Sequence, residues 1–104
     1  MLKNIFDFVN LQKKAEELKE ELKKERVTAE SGGGMVKVQV NGFGDVIDLE
    51  IEEKLITIKD KELLEDLVVS AINKGREKAK EIFQEKLQEV IGLPPLEGIK
   101  DLIS

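Results

Sequence analysis

Cysteine, histidine, tryptophan and tyrosine are all absent from this 104-residue chain. Without cysteine there is no disulfide framework and no thiolate to act as nucleophile or metal ligand. Without histidine the commonest general base and the commonest transition-metal ligand are missing. Four phenylalanines are the only aromatics, and the only two prolines stand side by side at 94 and 95. No apolar run approaches the ~20 residues that cross a bilayer, and the opening MLKNIFDFVN is too short and too charged for a signal peptide. A cytoplasmic protein with no catalytic residues, no metal and no cofactor is expected, and no membrane among its partners.

What the chain has in quantity is charge. Asp, Glu, Lys and Arg make up 38% of it, with a net charge of −5. Residues 1–44 carry eight cations against seven acids (+1), residues 45–66 three against nine (−6), and residues 67–104 six against six (zero). The acidity is therefore concentrated in the middle. The length fits one domain, and a chain this charged needs well-placed apolar stripes or a partner to fold.

The stripes are present. Phe8, Leu11, Ala15, Leu18 and Leu22 recur at steps of three and four, which predicts a helix over about 3–25 with a narrow seam of the coiled-coil kind. The period then falls to two. Val27 and Ala29, then Val36, Val38 and Val40, then Ile47, Leu49 and Ile51 alternate with polar residues, predicting strands over about 26–31, 35–40 and 44–51. Ser31-Gly32-Gly33-Gly34 reads as a turn, and Asn41-Gly42 as a tight hairpin turn. The segment EEKLITIK reads as a linker. Asp60 is suited to cap a helix over about 61–91, with Glu62 favoured by the dipole in its first turn, and Gly92 and the proline pair end it. Its apolar stripe is wide from Leu63 to Ile72, enough to cover a sheet, and narrows after Gly75.

The expected fold is α+β: an α-β-β-β-α protomer, with a three-stranded antiparallel sheet flanked by two long helices, over residues 1–95, followed by a tail, 96–104. Helices of about 31 and about 22 residues would span roughly 46 and 33 Å, whereas a compact domain of this size has a radius of gyration near ~13 Å. The helices must outrun the sheet. Leu11, Leu18, Leu22, Ile82, Phe83, Leu87 and Val90 would then be wet in a lone chain, and a two-fold homodimer is the simplest way to cover them.

The runs VTAESGGGMVKVQVNG (27–42), LEDLVVSAINKG (64–75) and LPP (93–95), in that order and spacing, resemble the YbaB/EbfC family of nucleoid-associated proteins. Lys74-Gly75 after Asn73, and the tail LEGIKDLIS, depart from the family pattern. The resemblance implies a tight, intertwined homodimer with protruding helices and duplex DNA binding with little sequence preference in a bacterial nucleoid.

Individual features have plainer readings beside these. The triple glycine lacks the Gly-Lys-Ser/Thr of a phosphate loop and precedes a strand, so it is a turn. The carboxylates Asp45, Asp48, Glu50, Glu52 and Glu53 match no calcium loop and read as a solvated strand face. The cations Lys13, Lys14, Lys19, Lys23 and Lys24, with Arg26, and Lys74, Arg76, Lys78 and Lys80, with Lys86, are interleaved with glutamates. On charge pattern alone that suits a salt-bridged solvated helix; the resemblance tips it towards phosphate contact, with residues 74–86 (five cations, three acids) as the locally basic patch. Stacking of single strands on aromatics is not expected, because Phe6, Phe8, Phe43 and Phe83 occupy core or interface positions. The competing reading is a homodimeric protein-interaction module serving replication or recombination proteins, which the negative net charge favours.

Overall fold

The structure, a computed structural model, describes residues 5–92. The expected helix start near residue 3, the proline pair, the tail 96–104 and the side chain of Phe6 lie outside the described residues. The order of elements is α1 (Ile5–Lys24), β1 (Val27–Ser31), β2 (Val36–Val40), β3 (Val46–Ile51), α2 (Glu53–Thr57) and α3 (Lys61–Ile91). The three strands form one antiparallel sheet in the order β1-β2-β3. This is the α-β-β-β-α pattern that the alternating periods dictate, with one addition. The stretch read as a linker contains α2, whose Leu55 is buried in the core.

Local chemistry sets the ends of the elements. The Asp60 carboxylate accepts the Leu63 amide at 3.0 Å, so α3 begins on a side-chain cap. Gly92 ends it in the left-handed conformation, its amide donating to the Gln88 carbonyl at 2.7 Å. The triple glycine turns the chain from β1 to β2 with φ of +60, +65 and +93°, values that side chains resist. The second hairpin is longer than the tight Asn-Gly turn, with β3 from about 44, that was expected. Asn41 Oδ1 accepts the amides of both Phe43 and Asp45 at 3.0 Å, wrapping the loop around its carboxamide and delaying β3 to Val46.

The inner face of the sheet is read from its register. Val36, Val38 and Val40 of β2 are buried, as are Val27, Ala29 and Ser31 of β1. The long helix α3 lies over these two strands with a run of small residues, Ala71, Gly75 and Ala79, all buried. A methyl group at Gly75 would stand 3.1 Å from Val38 Cγ1, a tight contact, so a small residue there eases the close approach of the helix. Opposite residues on neighbouring strands share a face. Leu49 therefore faces inward beside Val38, Ile51 beside Val36 and Val46 beside Val40. Yet Val46 is 46% exposed and Leu49 41%. The helix covers two strands of the inner face and leaves the third bare except at Ile51, which is half-buried against the core.

The other helix, α1, is attached by one end. Leu22 is 1% exposed, and the Gly42 amide of the second hairpin donates to the Leu22 carbonyl at 2.8 Å. From Phe8 to Glu17 every residue is exposed. The molecule measures 63 × 33 × 16 Å, with a radius of gyration of 18.6 Å, well beyond the ~13 Å of a compact chain of this length. The helices do outrun the sheet.

Candidate nucleic-acid interface

The cations expected to contact phosphate fall into three groups once the chain is folded. Lys13, Lys14, Lys19, Lys23 and Lys24 lie along α1 and are all exposed. No salt bridge involves them among the described residues. Glu16, Glu17 and Glu20 share the same stretch and are equally exposed. Next to them, Arg26 turns its guanidinium back onto the helix end, donating to the carbonyls of Lys23 and Glu25, each at 2.8 Å. The Lys23 carbonyl is one that the helix terminus leaves open.

The basic patch expected over 74–86 is divided by the fold. Arg76 and Lys80, one turn apart, line a cleft of about 480 Å³ together with Glu77, Phe43 and Phe83. Lys74 and Lys78 extend to the opposite flank, where their ammonium groups donate to main-chain carbonyls of β1. Lys86 faces α1 and pairs with Glu21 at 3.5 Å and Glu25 at 3.8 Å. A helix distributes successive residues around its axis at 3.6 per turn, so five cations within thirteen residues cannot share one face. The sequence spacing joined what the axis separates.

The apolar residues assigned to a partner also separate. Leu18 and Leu22 are buried within the single chain, where they seat the end of α1. Ile82, Phe83, Leu87 and Val90 are half-buried along the second half of α3, and Leu11 is exposed on α1. Leu22 has no surface left to give to a second copy.

The residues that spacing missed are Phe43, Val46, Ile47 and Leu49, all at least 40% exposed. Phe43, expected at a core or interface position, is not in the core. Instead its ring stands at the mouth of the cleft, 6.3 Å from that of Phe83 and tilted 59° to it, a separation within the range of favourable aromatic pairs. The carboxylates Asp48 and Glu50 stand exposed on the outer face of the sheet, opposite Gln39 and Lys37. Among the described residues, no group of three or more acids could hold a metal ion.

Known proteins resemble this chain along most of its length. A model of the YbaB/EbfC DNA-binding family matches residues 1–93. A nucleoid-associated protein of Persephonella marina is 45% identical over 83 residues, 80% of this chain and 76% of that one. Another, of Desulfotalea psychrophila, is 37% identical over 95 residues, 91% of this chain and 90% of that one. Among solved structures, the uncharacterized protein HP0035 of Helicobacter pylori superposes with a TM-score of 0.73 at 32% identity, covering 81% of this chain and 88% of that one. With a family match over residues 1–93 and the α-β-β-β-α fold in common with its structural neighbour, this chain belongs to the YbaB/EbfC DNA-binding family of nucleoid-associated proteins.

Proposed function

We propose that this protein acts as a homodimer that binds duplex DNA with little sequence preference, as an architectural component of the bacterial nucleoid. The observation that carries the reading is the arm. The free part of α1 projects from the body with every residue from Phe8 to Glu17 exposed, and five lysines punctuate α1 between 13 and 24. Cations on a projecting helix can follow a phosphate backbone without reading base edges. Arg76 and Lys80 are the α3 positions best placed to join them, since Lys74, Lys78 and Lys86 are held by groups of the protein itself.

The dimer is argued from the sheet. Apolar side chains of Val46, Ile47 and Leu49 on β3 are exposed, and at the hairpin end Phe43 stands 6.3 Å from the half-buried Phe83 of α3. A surface of this kind beside a helix fits a second helix. A two-fold axis alongside α3 would place each copy's α3 over the other copy's β3, closing both bare faces at once. The interface proposed is therefore the inner face of β3 with Ile82, Phe83, Leu87 and Val90, extended by Leu11, without Leu18 and Leu22.

Titration onto random-sequence duplex at about 50 and about 200 mM salt tests the DNA reading, since each phosphate contact steepens the salt dependence. About four contacts would lower the affinity on the order of 100-fold between the two. Absence of binding at the lower salt would overturn it. Light scattering should give about twice the 11.7 kDa of one chain.

A further inference from the structure

The sheet has two edges, β1 and β3. An edge strand presents unpaired main-chain groups on which another strand can grow, and natural sheets block this with bulges, charges and lysines. The β3 edge carries such devices: the register slips between Gln39 and Val40, leaving Ile47 without a partner of its own, and Asp48 and Glu50 add like charges. At β1 the device is different. Lys78 Nζ donates to the Thr28 carbonyl at 3.1 Å and Lys74 Nζ to the Glu30 carbonyl at 3.4 Å. Thr28 and Glu30 are two residues apart, so their carbonyls lie on one side of the strand. Lysines that reach them from an exposed flank mark that side as the open edge.

We propose that Lys74 and Lys78 lock the β1 edge, and that the surface beneath them is a strand-pairing site for β1 of a second copy. The occupant follows from the strand itself. Antiparallel pairing about Ala29 sets Thr28 opposite Glu30 in both directions, so no like charges meet, and all five residues of Val27–Ser31 find partners. With the lock closed, that pairing would have to displace two ammonium groups from their carbonyls. With it open, copies join laterally through β1, a face separate from the β3 interface proposed above. The two lysines thereby leave the phosphate-binding set, a consequence that rests on the DNA reading, whereas the lock does not.

Three variants test it. Lys74→Gln with Lys78→Gln removes both cations, Lys74→Arg with Lys78→Arg keeps them, and Thr28→Pro added to the glutamine pair removes an edge amide that lateral pairing needs. The parent and the arginine pair should share one mass by light scattering. The glutamine pair should form species at least about twice as heavy, with Thr28 and Glu30 amides exchanging about tenfold more slowly as they enter a ladder. Thr28→Pro should return the mass to the parent's, and the exchange measurement stands without that variant should the proline unsettle β1. A glutamine pair with unchanged mass and exchange overturns the lock. So does a heavier species that forms without slowing those two amides. Duplex retention, measured alongside, should stay within about twofold of the parent. If it collapses at unchanged mass, the two lysines are phosphate ligands and the lock is wrong. A parent that binds no duplex would sink the DNA reading while leaving the mass comparison intact.

Discussion

Two glycines show how a single missing side chain positions a helix. At Gly42 a methyl group would stand 2.7 Å from Leu22 Cδ2, 2.9 Å from the Leu22 carbonyl oxygen and 3.0 Å from its Cα. Backbone atoms cannot swing aside, so Gly42→Ala should lift the end of α1 from the hairpin and cost about 1–3 kcal/mol, the usual range for overpacking. Denaturant melts would show this, and amide exchange at Gly42 would quicken as its bond to Leu22 opens. At Gly75 the nearest atoms are valine methyl groups at 3.1 and 3.3 Å. Alanine there recovers about 1 kcal/mol of helix propensity against a small clash, so Gly75→Ala should be close to neutral, whereas Gly75→Leu should fall by about 3 kcal/mol or more. Leu22→Ala, at a site 1% exposed, should cost about 2–5 kcal/mol through the cavity it leaves. By contrast Lys86→Ala removes two solvent-screened pairs, longer than 3.4 Å, and should cost less than about 1 kcal/mol.

Among the elements, α1 is the one whose two ends have different work. Its C-terminal end is fixed by Leu18, Leu22, the Gly42 amide and Arg26. From Phe8 to Glu17 its other half is exposed. Charge reversal at Lys13, Lys14 and Lys19 should therefore weaken duplex retention by about tenfold or more and flatten the salt dependence, while the melting temperature moves by no more than a few degrees. Equal retention by that variant in a gel shift would remove the arm from the proposed DNA site. The strands and the long helix were legible from period alone, since alternation at 36–40 and a run of 3.6-period residues from Leu63 leave little choice of element. The α2 helix was not. Five residues cannot display a helical period, and Leu55 is buried through its neighbours in space, which spacing does not encode.

For the whole molecule the deciding feature is the uncovered third of the sheet. Leu49→Asp places a charge where a partner's α3 is proposed to lie, yet on a side chain already 41% exposed within the single chain. It should leave the far-ultraviolet circular dichroism of the protomer intact, reduce the mass from about twice 11.7 kDa towards 11.7 kDa, and make the melting temperature independent of concentration. A variant that stays dimeric would place the interface elsewhere. The homodimer expected from helix length and the one proposed from the sheet differ here in substance. Length pointed to helix seams such as Leu18 and Leu22, and these turned out to be consumed within one chain.

The sequence alone determined the order and type of the main elements, the exposed charge of α1, the caps of α3 and the excess of length over girth, because each depends on residues close together along the chain. It also carried the family, through runs at 27–42 and 64–75. Only the tertiary structure decided that α3 covers two strands and spares most of the third, that Lys74 and Lys78 leave it on one flank and Arg76 and Lys80 on the other, and that α1 is held by one end. Those outcomes turn on how closely α3 and α1 approach the sheet, which small residues at 42, 71, 75 and 79 permit and which contacts between residues far apart in the chain then fix.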